Sequence, residues 1–247
     1  MRIPVLGVPF DAVTLPQAVA CAGELLSAGR GGMIATVNPE ILLRCRRDSR
    51  LAAHVRQADL ILADGIGVVV ASRILGTPLP ERVTGADLAT GLFPLLEDRG
   101  GSVFLYGAQP GVGERACKKL RRRYPALHVA GTANGYTIRS EDVCRAIELA
   151  APQLVLVGLG SPRQERFIAE YRSRLRCVMI GVGGFIDVLA GDIPRAPLSW
   201  QRANAEWLYR LACEPQRLFR TAKLPEILLL SVLEKYKNGA PKGPADP

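Results

Sequence analysis

Five short apolar runs punctuate the chain, at residues 33–37, 60–63, 103–106, 154–157 and 178–180. Each is continuous and aliphatic or β-branched, without polar residues at alternate positions. That is the pattern of strands buried on both faces. Between them lie segments whose apolar residues recur every three or four positions. Residues 85–98, 111–124, 140–150 and 162–175 are examples, and the spacing predicts helices there. Strand and helix alternate, so the expected fold is α/β: a Rossmann-like, largely parallel sheet flanked by helices. No internal repeat is visible.

The pattern changes near Pro194. Pro194 and Pro197 break it, and a segment follows that mixes arginines with large apolar side chains, including both tryptophans, Trp200 and Trp207. Two or three helices are expected between 197 and 238, then a loose tail from 239 onward. The chain thus divides into an α/β core, 1–195, and a C-terminal helical appendage, 196–247. From Pro194 onward nine Lys or Arg stand against five Asp or Glu, so this region is net basic.

In a parallel α/β sheet the ligand lies beyond the carboxyl ends of the strands. Residues that directly follow the apolar runs are therefore the first candidates for chemistry. They are Asn38, Asp64-Gly65, Gly107, the Gly158-Leu-Gly160-Ser-Pro162 segment, and Gly181-Val-Gly183-Gly184. Such glycines and small polar groups suit the close approach of a phosphate-bearing ligand. Thr36 and Asn38 are placed at this mouth, although Asn38-Pro39 also reads as an ordinary strand-to-helix turn. A carboxylate at Asp64 cannot stay unpaired in a core, so it either caps the next helix or works as a base. In Arg82-Val-Thr84-Gly85, the hydroxyl and the backbone N–H groups serve an anion or cap a helix. Gln164 and Glu165 fall in the first turn after Pro162. Phe185 either stacks on a base or packs in the core.

Charge narrows the partners. A formal net charge of +9 favours nucleic acid, acidic lipid or phosphate-bearing small molecules. Aromatics are only 6% and do not interleave with basic residues, which argues against base stacking on nucleic acid. Arg210, Arg217 and Arg220 share one face if their helix is continuous, and their apolar neighbours suggest a surface that docks on something. The basic run 118–123 closes a predicted helix, where the dipole favours cations. The six cysteines lack CxxC spacing and read as reduced. His54 and His128 have no ligand-type neighbours and read as structural. No Asp-x-Asp pair is present to hold a metal on a diphosphate. The charge of such a group would fall to arginines and backbone N–H groups. The first residues do not read as a signal peptide, and no apolar run reaches 18 residues, so membrane contact is expected to be peripheral.

Six segments, in order, resemble the WecG/TagA/CpsF family of bacterial glycosyltransferases. They are Thr36-Val-Asn38-Pro39-Glu40, Ala63-Asp64-Gly65, Arg82-Val-Thr84-Gly85, Phe104-Leu-Tyr-Gly107, Gly158-Leu-Gly160-Ser-Pro162-Arg163-Gln164-Glu165 and Gly181-Val-Gly183-Gly184-Phe185. The resemblance implies inverting, metal-independent transfer, without a cofactor, from a UDP-sugar to an undecaprenyl-diphosphate-linked saccharide, in cell-surface polysaccharide or teichoic acid synthesis. It implies Asp64 as the base, Thr36 and Asn38 in the pocket, and Gln164 in the site. The appendage would bring Arg210, Arg217 and Arg220 to the diphosphate and touch the inner face of the cell membrane. Its apolar surface would suit packing on a second subunit as well as on anionic lipid. The rival readings are an NAD(P)-dependent oxidoreductase, which lacks its GxGxxG fingerprint here, and a non-enzymatic nucleotide-binding protein.

Overall fold

The structure is a computed structural model, and it describes residues 1–197, 199–200, 208–209 and 223–239. A small antiparallel hairpin, β1 (Arg2–Val5) and β2 (Val8–Asp11), opens the chain. Helix α1 (Leu15–Ala28) leads into β3 (Gly32–Val37), and α2 (Pro39–Arg47) and α3 (Ser49–Arg56) lead into β4 (Leu60–Ala63). Helices α4 (Ile66–Ile74) and α5 (Gly85–Asp98) carry the chain across to β5 (Ser102–Gly107). Then α6 (Val112–Arg123), β6 (His128–Ala133), α7 (Ser140–Ala150), β7 (Leu154–Gly158), α8 (Arg163–Tyr171), β8 (Val178–Gly181) and α9 (Phe185–Ala190) follow. The last described helix, α10, spans Leu224–Gly239.

Six strands form one parallel sheet in the order β4-β3-β8-β7-β5-β6. All five apolar runs are strands in it. Their continuity has a direct cause, because successive side chains point to opposite faces and both faces are covered. Met33, Ala35 and Val37 enter an apolar layer with α2, α3, α4, α7 and α8. Ile34, Leu60 and Leu62 enter the other, with α1, α5, α6 and α9. The chain steps outward from β3 to β4 on one side and from β5 to β6 on the other. Between them β8 and β7 fill the middle, so the crevice expected of a doubly wound sheet lies at their carboxyl ends.

Helices 85–98 and 140–150 have the expected bounds, and α6 and α8 lie inside 111–124 and 162–175. Arg121, Arg122 and Arg123 occupy the last turn of α6, as the dipole argument requires. Helix α10 packs on α4 and buries Ile227 and Ser231, while Leu229, Leu233 and Tyr236 stay exposed. Ion pairs Arg46–Glu234 and Arg47–Glu226 tie it to α2. Elsewhere in the appendage, 199–200 and 208–209 are helical, and Trp200 meets Tyr209 edge-on with centroids 5.8 Å apart. Arg210, Arg217, Arg220, Trp207, Cys213 and the tail from 240 lie outside the described residues.

Candidate active site

Strand β4 ends at Ala63, but Asp64 still donates its backbone N–H to Val37 O at 3.0 Å. Val83 donates to Ala63 O at 2.9 Å, which lays the segment before α5 along the end of β4. That contact brings the first turn of α5 to Asp64. The Asp64 carboxylate accepts the N–H of Gly85, the first residue of α5, at 3.3 Å through Oδ2. It does not cap α4, whose N-cap is Gly65 with no side-chain cap bond. Asp64 is half-buried at the mouth of the sheet, facing a helix N-terminus that favours negative charge.

Thr36 is buried and donates its hydroxyl to Gly181 O at 2.6 Å, across the β3–β8 junction. Gly85 fills the gap above this pair. A Cβ there would lie 2.9 Å from Gly181 O and 3.2 Å from Thr36 Cγ2. Asn38 caps α2, its Oδ1 accepting Ile41 N–H at 2.9 Å. Thr84 caps α5 by accepting Asp87 N–H at 3.0 Å and donates its hydroxyl to Asp87 Oδ2 at 2.7 Å. For Thr84 the capping reading holds, Asn38 begins the expected strand-to-helix turn as an N-cap, and both sit at the sheet mouth.

The glycines divide into two groups. At Gly107, Gly158 and Gly181 the space of a Cβ is already taken, by Gly158, by Gly183 O at 2.7 Å and by Gln164 Nε2 at 2.7 Å respectively. Their close approach is therefore to neighbouring protein. Gly160 and Gly183 have left-handed φ of 72° and 53° and open space where a side chain would stand. Pro162 follows a cis peptide bond, and α8 begins beside it. Phe185 is 3% exposed and packs in the apolar layer of α5, α6 and α9.

Gln164 and Glu165 are both buried at the start of α8. Gln164 Oε1 accepts Gly183 N–H at 3.2 Å, and Gln164 Nε2 donates to Glu165 Oε1 at 2.9 Å. Burial raises the Glu165 carboxyl above its ordinary value, and the hydrogen bond from Gln164 partly offsets this. Two residues at the mouth escaped sequence reasoning. Asp87 receives Arg195 and, at 3.8 Å, Arg82. Asp87 lies two residues beyond the Arg82-Val-Thr84-Gly85 motif, but nothing in the sequence ties Arg195, 108 positions away, to it. Among the described residues no three His, Cys, Asp or Glu side chains gather as a metal-ligand group, and no helix is long and apolar enough to cross a membrane.

The doubly wound parallel sheet thus presents a carboxylate, capped helix starts and arginines at its strand ends, where ligands of α/β sheets lie. The chain belongs to the glycosyl transferase WecG/TagA/CpsF family, whose model matches residues 3–241. Among similar proteins is the N-acetylglucosaminyldiphosphoundecaprenol N-acetyl-β-D-mannosaminyltransferase of Bacillus spizizenii, 38% identical over 202 residues, or 81% of this chain and 79% of that one. The protein of the same name from Bacillus subtilis is 39% identical over 210 residues, covering 84% and 81%. That from Staphylococcus aureus is 34% identical over 227 residues, covering 91% and 89%. The chain is thus a glycosyltransferase, and the oxidoreductase and non-enzymatic readings fall.

Proposed function

We propose that the enzyme moves a sugar, N-acetylmannosamine or a related hexose, from a UDP-sugar to an undecaprenyl-diphosphate-linked saccharide, with inversion and without a metal. The relatives' names supply the class of acceptor. The observation that carries the reading is the Asp64 carboxylate, held at the sheet mouth by Gly85 N–H and beside the α5 start. Asp64 accepts the proton of the acceptor hydroxyl as its oxygen attacks the anomeric carbon. The bond from that carbon to the diphosphate breaks on the opposite face, and its electron pair leaves with UDP. A negative charge beside the cation-like sugar also lowers the barrier. Thr36 joins Asp64 in the catalytic centre. Asn38, Arg82, Thr84, Gly85, Gly107, Gly158, Gly160, Pro162, Gln164, Glu165, Gly181, Gly183 and Phe185 form or support the donor pocket. Arg210, Arg217 and Arg220 neutralise the leaving diphosphate.

The appendage docks on anionic lipid at the inner face of the membrane. The exposed Leu229, Leu233 and Tyr236 of α10 support this, together with the net basic charge after Pro194. The test is a screen of UDP-sugars against a short-chain lipid-diphosphate saccharide with product analysis. One UDP-sugar should yield an inverted, elongated product. Turnover confined to another nucleotide-sugar would refute the donor assignment.

A further inference from the structure

Glu165 is the most deeply buried carboxylate near the mouth among the described residues, 4% exposed. Its Oε2 has no hydrogen-bond partner, while Oε1 is taken by Gln164. Gln164 is 3% exposed, and its amide lies against Gly181, the residue whose carbonyl holds Thr36. A carboxamide has two faces that differ only in which end donates, and its neighbours decide between them. Here Gly183 N–H requires the oxygen on one side, and the Glu165 oxygen requires the nitrogen on the other. The second Nε2 hydrogen then has no acceptor among the described residues.

We propose that Glu165 is a positioning residue: it fixes the Gln164 carboxamide across Gly181 and Gly183 so that Nε2 is presented to the donor sugar-nucleotide. The inference rests on the transfer reading above, with Gln164 in the donor pocket. Burial raises the Glu165 carboxyl above its ordinary value, which disfavours a charge at this position. Arg44, Cys45 and Ser161 are the other polar or titratable groups that act on Glu165.

The experiment compares Glu165→Gln, Glu165→Met, Gln164→Met and the double Met variant of the full chain. Glu165→Gln keeps an acceptor oxygen and should remain within about threefold of wild-type kcat/KM for the donor. Glu165→Met and Gln164→Met should each lose about tenfold, the effect of one hydrogen bond, with the acceptor KM little changed. The double variant should be no worse than about threefold below the poorer single one, because both remove one device. Wild-type kcat/KM in Glu165→Met, or losses that multiply, would overturn the proposal. The Gln164 side-chain amide signal in ¹⁵N NMR reads the same contact without any substrate. It should move in Glu165→Met and stay in Glu165→Gln, and an unmoved signal in both would refute the contact. If no UDP-sugar is turned over by the wild type, the donor reading fails while this signal still decides on Glu165.

Discussion

Replacing Gly85 by alanine tests the packing that sets Asp64 in place. A Cβ at 85 would sit 2.9 Å from Gly181 O and 3.2 Å from Thr36 Cγ2. Gly181 is paired to Val157 in the sheet, and its carbonyl holds the Thr36 hydroxyl, so neither neighbour yields cheaply. The start of α5 must recede instead. The Gly85 N–H to Asp64 contact, already 3.3 Å, is then lost. Overpacking of this kind costs about 1–3 kcal/mol. Exchanging Gly for Ala in a helix returns about 0.5–1 kcal/mol. The net loss of roughly 0–2.5 kcal/mol lowers Tm by up to about 10 °C in a domain of this size. Transfer should fall by about tenfold or more, because Asp64 loses the Gly85 contact that orients it. Calorimetry and initial rates measure the two effects. Adding Thr36→Ser removes the methyl contact but not the carbonyl, so it should not restore Tm. An unchanged or raised Tm with wild-type turnover in Gly85→Ala would refute the packing argument.

Other expectations concern the buried groups and the absence of a metal requirement. The Glu165 carboxyl is raised in the folded state, so its neutral form stabilises the fold below the ordinary carboxylate range and that contribution is lost as pH rises through the raised value. Glu165→Gln should therefore gain Tm over wild type as pH rises, and a constant difference from pH 4 to 8 would contradict this. Burial pushes the Cys45 and Cys177 thiols up to about 12, so alkylation of the native protein at pH 8 should leave both unmodified by peptide mapping. Labelling of either before unfolding would show a looser core. Transfer should continue at full rate in excess EDTA, and a loss reversed by Mg²⁺ or Mn²⁺ would end the metal-independent reading.

The legible part of the fold was the part whose pattern has a single physical cause. Central strands buried on both faces must be continuously apolar, so 60–63 and 154–157 announced themselves. Strand β6, His128–Ala133, lies at the edge of the sheet, carries Gly131 and Thr132, and has only Val129 and Ala133 buried. Its pattern offers no run to detect. The β1–β2 hairpin is short and alternating, with burial of every second residue in β1, and was equally silent. In the site, strand ends located Thr36, Asp64 and the glycines because topology puts them there. Sequence spacing alone left Asp64 between cap and base. The structure removes the α4-cap alternative by giving that role to Gly65. What spacing cannot show is contact across the chain. Arg195 on Asp87 and Gln164 on Gly183 arise from tertiary packing, and the glycines at 107, 158 and 181 serve backbone contacts that no run of residues reveals.

The base assignment is tested most directly by Asp64→Asn. Asparagine keeps the size of the side chain and an oxygen for Gly85 N–H, so the variant should fold with a Tm near wild type. It has no basic carboxylate, so transfer from the UDP-sugar to the lipid-diphosphate saccharide should drop by about 10²-fold or more. A folded Asp64→Asn enzyme that transfers sugar at the wild-type rate would contradict the mechanism.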